Sequence, residues 1–192
     1  AILESQTNSN ITLVSGGTLT VGATGVIRHT ANTTARTYTV DLTVTNISIA
    51  SGGQITASGR GYTGGTECVV GNGSGAGQSS SCRGTGGGYG GVGGRHDQGG
   101  TGGSAYGYGV IDAPVDLGSG GGGGNGGNGG AGGGAIKLTV SGTLTNSGSI
   151  TADGANGGTS FAGGGSGGSV WLNNIGTLTG SGTITANGGI GQ

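Results

Sequence analysis

Charge is scarce in this chain. Only 7% of its 192 residues are charged, and six basic residues against seven acidic ones leave a net charge of -1. The basic residues (Arg28, Arg36, Arg60, Arg83, Arg95 and Lys137) are scattered. The clustered positive footprint of a nucleic-acid binder is therefore missing. Long apolar runs are missing too, since none approaches the roughly 20 residues that span a bilayer. The first ten residues have neither the basic start nor the apolar stretch of a secretion signal. A mature secreted form, or a piece of something longer, is the expectation. Aromatics are 4% of the chain, and histidine occurs only as His29 and His96.

What is abundant is glycine, at 57 residues. A helix-rich globule is excluded, because each interior glycine costs a helix about 1 kcal/mol relative to alanine. Glycine without a period, or few aliphatics with a high net charge, would read as disorder. Here the charge is near zero and the glycines are periodic, so order is expected. Cys68 and Cys82 leave no odd thiol and lack metal-ligand spacing. They read as one disulfide formed in an oxidising compartment, closing a loop of about 15 residues worth roughly 3 kcal/mol.

The chain reads as one continuous module, 1–192, in three zones. Residues 1–59 are rich in Thr, Val and Ile, residues 60–134 in Gly, and residues 135–192 return to the first pattern. LTVSGTLTNSGSITADG around Leu138 and LNNIGTLTGSGTITANG around Leu172 are near-copies. Leu138, Leu144 and Ile150 are evenly spaced, as are Leu172, Leu178 and Ile184, and the same step separates Ile49 from Ile55 and Leu13 from Leu19. Within each phrase apolar and hydroxyl residues alternate, as in Thr177-Leu178-Thr179. That is the period of a strand with one buried and one wet face. Trp171 alternates with Val170 and Leu172 and so points away from them. The fold class is all-β. Strands this short must stack on copies of themselves or on a partner layer. Coils of a parallel β-solenoid and strands of a β-sandwich both fit, and the tandem near-copies favour a solenoid-like layer.

The central zone has a period of three. From Gly87 it runs GGY GGV GGR HDQ GGT GGS, and from Gly123 GGN GGN GGA. Three residues per turn is the repeat of the left-handed polyproline-II helix, which has no internal hydrogen bonds. Its backbone groups must pair with neighbouring segments. The expectation is a bundle of polyglycine rods packed on the strand layer. Tyr62, Tyr89, Tyr106 and Tyr108 in or beside this zone would cover bare backbone.

The catalytic inventory is thin. His96 adjoins Asp97 with no nucleophile nearby and reads as a solvated tip, and His29, in IRHTANTTART, reads as surface. Gly164-Gly165-Ser166-Gly167-Gly168 fits G-x-S-x-G, but no His follows Ser166 and no helix is expected after it. Asp112 and Asp116 flank Pro114, without the assured separation that a glycosidase pair needs. No enzymatic activity and no cofactor are expected. Asp153 and Asn156, in TADGAN, are weak candidates for calcium, since the calcium nonapeptide of β-rolls is absent. They read more simply as Asx turns.

The most regular surface feature is threonine. If the copies stack in register, Thr18, Thr20, Thr143, Thr145, Thr177 and Thr179 form one outward column pair, and Thr151, Thr183 and Thr185 another, with Thr56 aligned. Such hydroxyl-methyl arrays suit an ice or glycan surface. They are also what a good strand residue does on a wet face. Asn10, Asn32, Asn46 and Asn72 lie in N-x-[ST] sequons, glycan acceptors only in a secretory pathway.

ISIASGGQITASGRGY, GGAGGGAIKLTVSGTLT and GGGSGGSVWLNNIGTLTGSGTITANGG resemble glycine-rich repeat segments of large secreted or surface β-helical adhesins, over nearly the whole chain. Residues 84–134 are also similar to the GGX triplets of the polyglycine-rod antifreeze proteins of springtails. The first resemblance implies an extracellular or cell-surface, elongated, non-enzymatic module: a stalk, surface-layer element or self-assembling fibre subunit. Its partners would be further copies or neighbouring repeats, with no nucleic acid and no membrane insertion. The alternative is an ice- or glycan-binding module using the threonine columns.

Overall fold

The computed structural model describes residues 2–5, 10–12, 17–105 and 112–192. Leu13, Tyr106 and Tyr108 lie outside them. The described chain is all-β, without a helix, and its strands are short. They are β1 (Ile2–Ser5), β2 (Asn10–Thr12), β3 (Thr18–Val21), β4 (Val26–His29), β5 (Val40–Val44), β6 (Asn46–Ile49), β7 (Gln54–Thr56), β8 (Ser79–Ser80), β9 (Arg83–Gly84), β10 (Ala135–Val140), β11 (Thr143–Asn146), β12 (Ser149–Thr151), β13 (Ser169–Asn173), β14 (Thr177–Thr179) and β15 (Thr183–Thr185).

Apart from β8 and β9, these strands build three open sheets in which every pairing is parallel. The orders are β1-β4-β7-β12-β15, β13-β10-β5-β2 and β14-β11-β6-β3. The chain thus visits the sheets in the same cyclic order, and each return lays a strand beside its predecessor in that sheet. Like residues meet as a result. Leu42, Leu138 and Leu172 share one register line. Leu19, Ile47, Leu144 and Leu178 share a second, and Ile27, Ile55, Ile150 and Ile184 a third. The middle members face one another as the core: Leu42, Ile47, Ile55, Leu138, Leu144 and Ile150 are each no more than 1% exposed. Strand alternation, expected from the threonines, puts the apolar residue of each triplet here.

One rung differs from the spacing argument. Ile47, not Ile49, lies beside Leu144, while Ile49 pairs with Asn146. The turn after β6 is longer than its counterpart after β11, and Gly52 at its corner has φ 85°. A Cβ there would also stand 2.6 Å from the Ala23 carbonyl oxygen, so the turn demands glycine twice over.

Apart from Gly84 in β9, the glycine segments lie beside the sheets, outside the named strands, and bond to one another through the backbone. Residues 118–124 are the centre. The N–H groups of Gly118 and Gly121 donate to the carbonyls of Gly133 and Gly130 (2.7 and 2.9 Å). Those of Gly120 and Gly123 donate to Asn72 and Val69 (2.9 and 2.8 Å). The carbonyls of Gly118, Gly121 and Gly124 accept from Tyr62, Gly65 and Cys68 (3.0, 2.9 and 3.2 Å), and those of Ser119 and Gly122 accept from Ser166 and Gly163 (both 2.9 Å). Along each of these four rows a step of three reaches the same neighbouring segment again, whereas the Gly122 N–H donates to Thr85 O at 3.0 Å. Side chains fill the two gaps: Ser166 Oγ accepts from Ser119 N at 2.8 Å, and Ser79 Oγ donates to Gly123 O at 2.8 Å.

This network is wider than the glycine-rich zone of the sequence. Residues of the C-terminal zone belong to it: Gly154 donates to Asn187, Ala155 to Ala131, Gly165 to Ala155 and Gly189 to Gly165. Conversely, parts of the triplet stretch stand at its margin, since a Cβ at Gly90, Gly91 or Gly94 would meet nothing within 4 Å.

Candidate functional site

The threonine face is built by register. On the third sheet Thr143 lies beside Thr177 and Thr145 beside Thr179. The columns are not continuous, however. Thr18 pairs with Asn46 and Thr20 with Ser48, and Ser48 in turn pairs with Thr145, so Asn46 and Ser48 separate the two ends. The repeat-based alignment passed over β6 because its outward residues are not threonine. Asn46 also ties the strands together, its Oδ1 accepting from Thr143 N at 2.9 Å.

On the first sheet Thr56, Thr151 and Thr185 fall in line, as do Ser149 and Thr183. Here the hydroxyls bond to one another rather than standing open. Thr56 Oγ1 and Thr151 Oγ1 are 2.8 Å apart, Ser58 Oγ donates to Thr151 Oγ1 at 3.0 Å, and Thr185 Oγ1 donates to Asp153 Oδ2 at 2.8 Å. The outermost threonines, Thr18, Thr20, Thr177, Thr179 and Thr183, are exposed.

Asp153 and Asn156, the candidate calcium ligands, are engaged across the repeat. Asp153 Oδ1 accepts from Asn187 N at 2.6 Å, and Asn156 Oδ1 accepts from Ile190 N at 2.9 Å, each pair separated by 34 residues. These are Asx bonds between consecutive copies. Among the described residues no three His, Cys, Asp or Glu side chains come together to hold a metal ion.

Cys68 and Cys82 are joined as the disulfide. Its second half sits on a hairpin: β8 and β9 pair antiparallel around Ser81 and Cys82, whose φ values are 49° and 56°. Two successive positive φ angles are what a two-residue type I′ turn requires. The bond pins this hairpin tip to the loop that carries Cys68.

Several readings of single residues change. His29 is not a surface residue but fully buried in the fold, where Gly134 leaves it room and its Nδ1 lies 2.8 Å from Thr30 O. Strand alternation on β4 turns it inward. Asn32, of the first zone's second sequon, is turned inward in the folded chain. It is 2% exposed, its Oδ1 accepts from Thr37 N and Tyr38 N, and its Nδ2 donates to Tyr38 O and Arg60 O. Asn72 Nδ2 donates to Thr63 Oγ1 at 2.9 Å, and Asn10 is described only as backbone of β2. Ser166, of the G-x-S-x-G match, is buried against the Ser119 backbone. Asp116 pairs with Arg36 at 2.6 Å.

The His96-Asp97 tip is only half solvated. Asp97 is 63% exposed and takes both of its oxygens to Arg83 Nη1 (2.8 and 3.0 Å), whereas the His96 side chain is 10% exposed. Arg83 in turn lies 4.3 Å above the ring of Phe161. His96, Asp97 and Phe161, together with Arg95 and glycine backbone, edge a cleft of about 440 Å³. Sequence reading missed this cluster, because its members are distant in the chain and no motif joins them. It also missed a file on the second sheet, where Lys137 stands between Asp41 (3.8 Å) and the ring of Trp171 (4.9 Å). The comparisons with known proteins give no match: no family model fits the chain, and no curated protein or solved structure is significantly similar to it.

Proposed function

We propose that this chain is a non-catalytic structural module of an extracellular or cell-surface assembly: a stalk, a surface-layer element or the subunit of a self-assembling fibre. In this reading the three sheets are the faces of one parallel β-solenoid, and the glycine segments are rods of the polyproline-II type packed along it. The observation that carries it is the step of three in the hydrogen bonds of residues 118–124. A helix with three residues per turn presents every third residue to the same neighbour. Glycine allows the backbones to approach until N–H and C=O pair from rod to rod. The result is a body whose rigidity comes from main-chain bonds, which suits a load-bearing part. The disulfide suits an oxidising compartment. The likeness of the repeats to β-helical adhesins, and of the triplets to polyglycine-rod proteins, points the same way.

Amide hydrogen exchange tests this reading. The N–H groups of Gly120–Gly123 and Gly129–Gly133 should exchange orders of magnitude more slowly than in a free peptide of the same sequence, in step with global unfolding. Exchange as fast as in the free peptide would remove the rods and the mechanical role with them.

A second reading, binding of ice or a glycan, draws on the register of Thr143 with Thr177 and Thr145 with Thr179. It predicts thermal hysteresis or a glycan-array signal from the purified chain, lost in Thr179→Lys and in Thr185→Lys. The absence of both signals in the unmodified chain would end it.

A further inference from the structure

The second sheet carries a polar site on the outer face of its two inner strands. Asp41 of β5 and Lys137 of β10 are register partners, and each of these strands has a neighbour on both sides. Alternation turns Val40, Leu42, Ile136 and Leu138 into the core, so Asp41 and Lys137 point outward. The pair is not closed on itself. Lys137 Nζ is 3.8 Å from Asp41 Oδ2, too far for a hydrogen bond. Asp41 Oδ1 is buried and has no hydrogen-bond partner among the described residues. A carboxylate oxygen left in this way is costly and calls for a donor. On the other side of Lys137 its register neighbour Trp171 holds the ammonium, with the ring centre 4.9 Å from Nζ.

A cavity of about 170 Å³ opens beside the pair, where β5 and β10 begin. Asp41, Lys137 and Arg36 line it, with Val115 as an apolar wall. Arg36 brings a second acid to the rim, since its Nη1 donates to Asp116 Oδ1 at 2.6 Å. That bond uses one nitrogen of the guanidinium fork. All four charged side chains are about a third exposed, so a ligand from solvent can reach them.

We propose that this cavity binds one ring of a neutral saccharide over the Asp41–Lys137 pair. The charges select the ligand class. Asp41 and Asp116 stand against Arg36 and Lys137 in one small site. A free anion is repelled by the carboxylates, and a free cation by the guanidinium and the ammonium. A hydroxyl group serves both signs, because it donates to a carboxylate and accepts from an ammonium. The head groups of Asp41 and Lys137 are 3.8 Å apart, close enough to meet two hydroxyls on adjacent ring carbons. The volume agrees. It lies below the roughly 300–1,000 Å³ of sites for drug-sized ligands, so it takes a single ring rather than an extended peptide. The site is separate from the threonine face of the third sheet, and it does not depend on the glycine rods.

The test uses the intact chain. Trp171 is the only tryptophan, so its fluorescence reports on this site. Titration with the methyl glycosides of glucose, galactose, mannose and N-acetylglucosamine should give a saturable change with at least one of them, in the millimolar range. Saturation-transfer NMR should show the same glycoside bound. Asp41→Asn and, independently, Lys137→Met should each weaken binding by about tenfold or more, the loss of one hydrogen bond to a charged group. Both side chains point outward, so circular dichroism and melting should stay as in the unmodified chain. Thr179→Lys should leave the titration unchanged. The proposal is overturned if none of the four glycosides binds, or if binding survives undiminished in both variants. It is also overturned if sodium sulfate, ammonium chloride or N-acetylglycine amide gives the only saturable response, which would make this an anion, cation or peptide site. Binding abolished by Thr179→Lys would overturn it too, by moving the sugar to the threonine face.

Discussion

Gly121→Ala should destabilise the chain by about 3–5 kcal/mol, a large effect for adding a single methyl group. A Cβ at this position would stand 2.2 Å from the carbonyl oxygen of Gly163, 2.6 Å from its carbon and 2.6 Å from the oxygen of Gly164. These are main-chain atoms, and they cannot swing aside as a side chain would. The neighbouring segment is held in turn, Gly163 N–H by Gly122 O at 2.9 Å and Gly163 O by Gly130 N at 2.9 Å. Overpacking alone costs about 1–3 kcal/mol. Moving the segment also strains the bonds from Gly121 N to Gly130 O and from Gly65 N to Gly121 O, each worth about 1 kcal/mol. At roughly 2–4 °C per kcal/mol for a domain of this size, the melting point should fall by about 6–20 °C. Gly91→Ala is the control. It sits in the same glycine-rich zone, but nothing lies within 4 Å of the added carbon. It should be neutral or gain up to about 1 kcal/mol, because alanine narrows the unfolded ensemble. Thermal melts of the two variants decide it: equal melting points would mean that the close backbone approach is not what orders this zone.

The second large effect concerns the apolar ladder. Leu144→Ala should cost about 2–5 kcal/mol, the range for truncating a buried leucine when its surroundings collapse only partly. Leu144 is 0% exposed and stands between Ile47 and Leu178 on its register line, so the hole is walled on both sides by other rungs. Leu178→Ala removes the same atoms from the next rung. Leu178 is 52% exposed, so about half of the roughly 1.5–3 kcal/mol of a fully buried side chain is at stake, or about 1 kcal/mol. Denaturant midpoints of the two variants, taken at a dilution where only monomer is present, should differ at least twofold in destabilisation. Equal losses would mean that the ladder does not end where the strands do.

Much of this architecture was legible beforehand. The near-copies around Leu138 and Leu172 announced parallel pairing at a fixed offset, and the structure places Leu172 beside Leu138 and Leu178 beside Leu144. Thr-Leu-Thr and Thr-Ile-Thr announced which residue turns inward. The pair of cysteines announced its own bond. Where the reading slipped, a loop had changed length or a side chain had changed type. Ile49 was matched to a rung that belongs to Ile47, because the turn at Gly52 is longer. The threonine columns were drawn through β6 as though Asn46 and Ser48 were not there. His29 and Asn32 looked polar and therefore external. Yet alternation along β4 buries the first, and a full set of hydrogen bonds lets the second be buried at little cost.

What the amino-acid sequence determined alone is the local grammar: extended chain throughout, a two-residue alternation in the strands and a three-residue step in the glycines. Both are properties of a single segment, set by β-branching and by the absence of Cβ. What only the tertiary structure decided is which segment lies against which. Five consecutive glycines from Gly120 to Gly124 are chemically identical, so nothing in their order says that Gly121 faces Gly163 while Gly120 faces Thr63. That assignment comes from the sheets, which bring the segments together in register, and from the demand that every N–H and C=O in the interior find a partner. The same physics exposes the last rungs. Only the assembled order of strands reveals which edges are unpaired among the described residues.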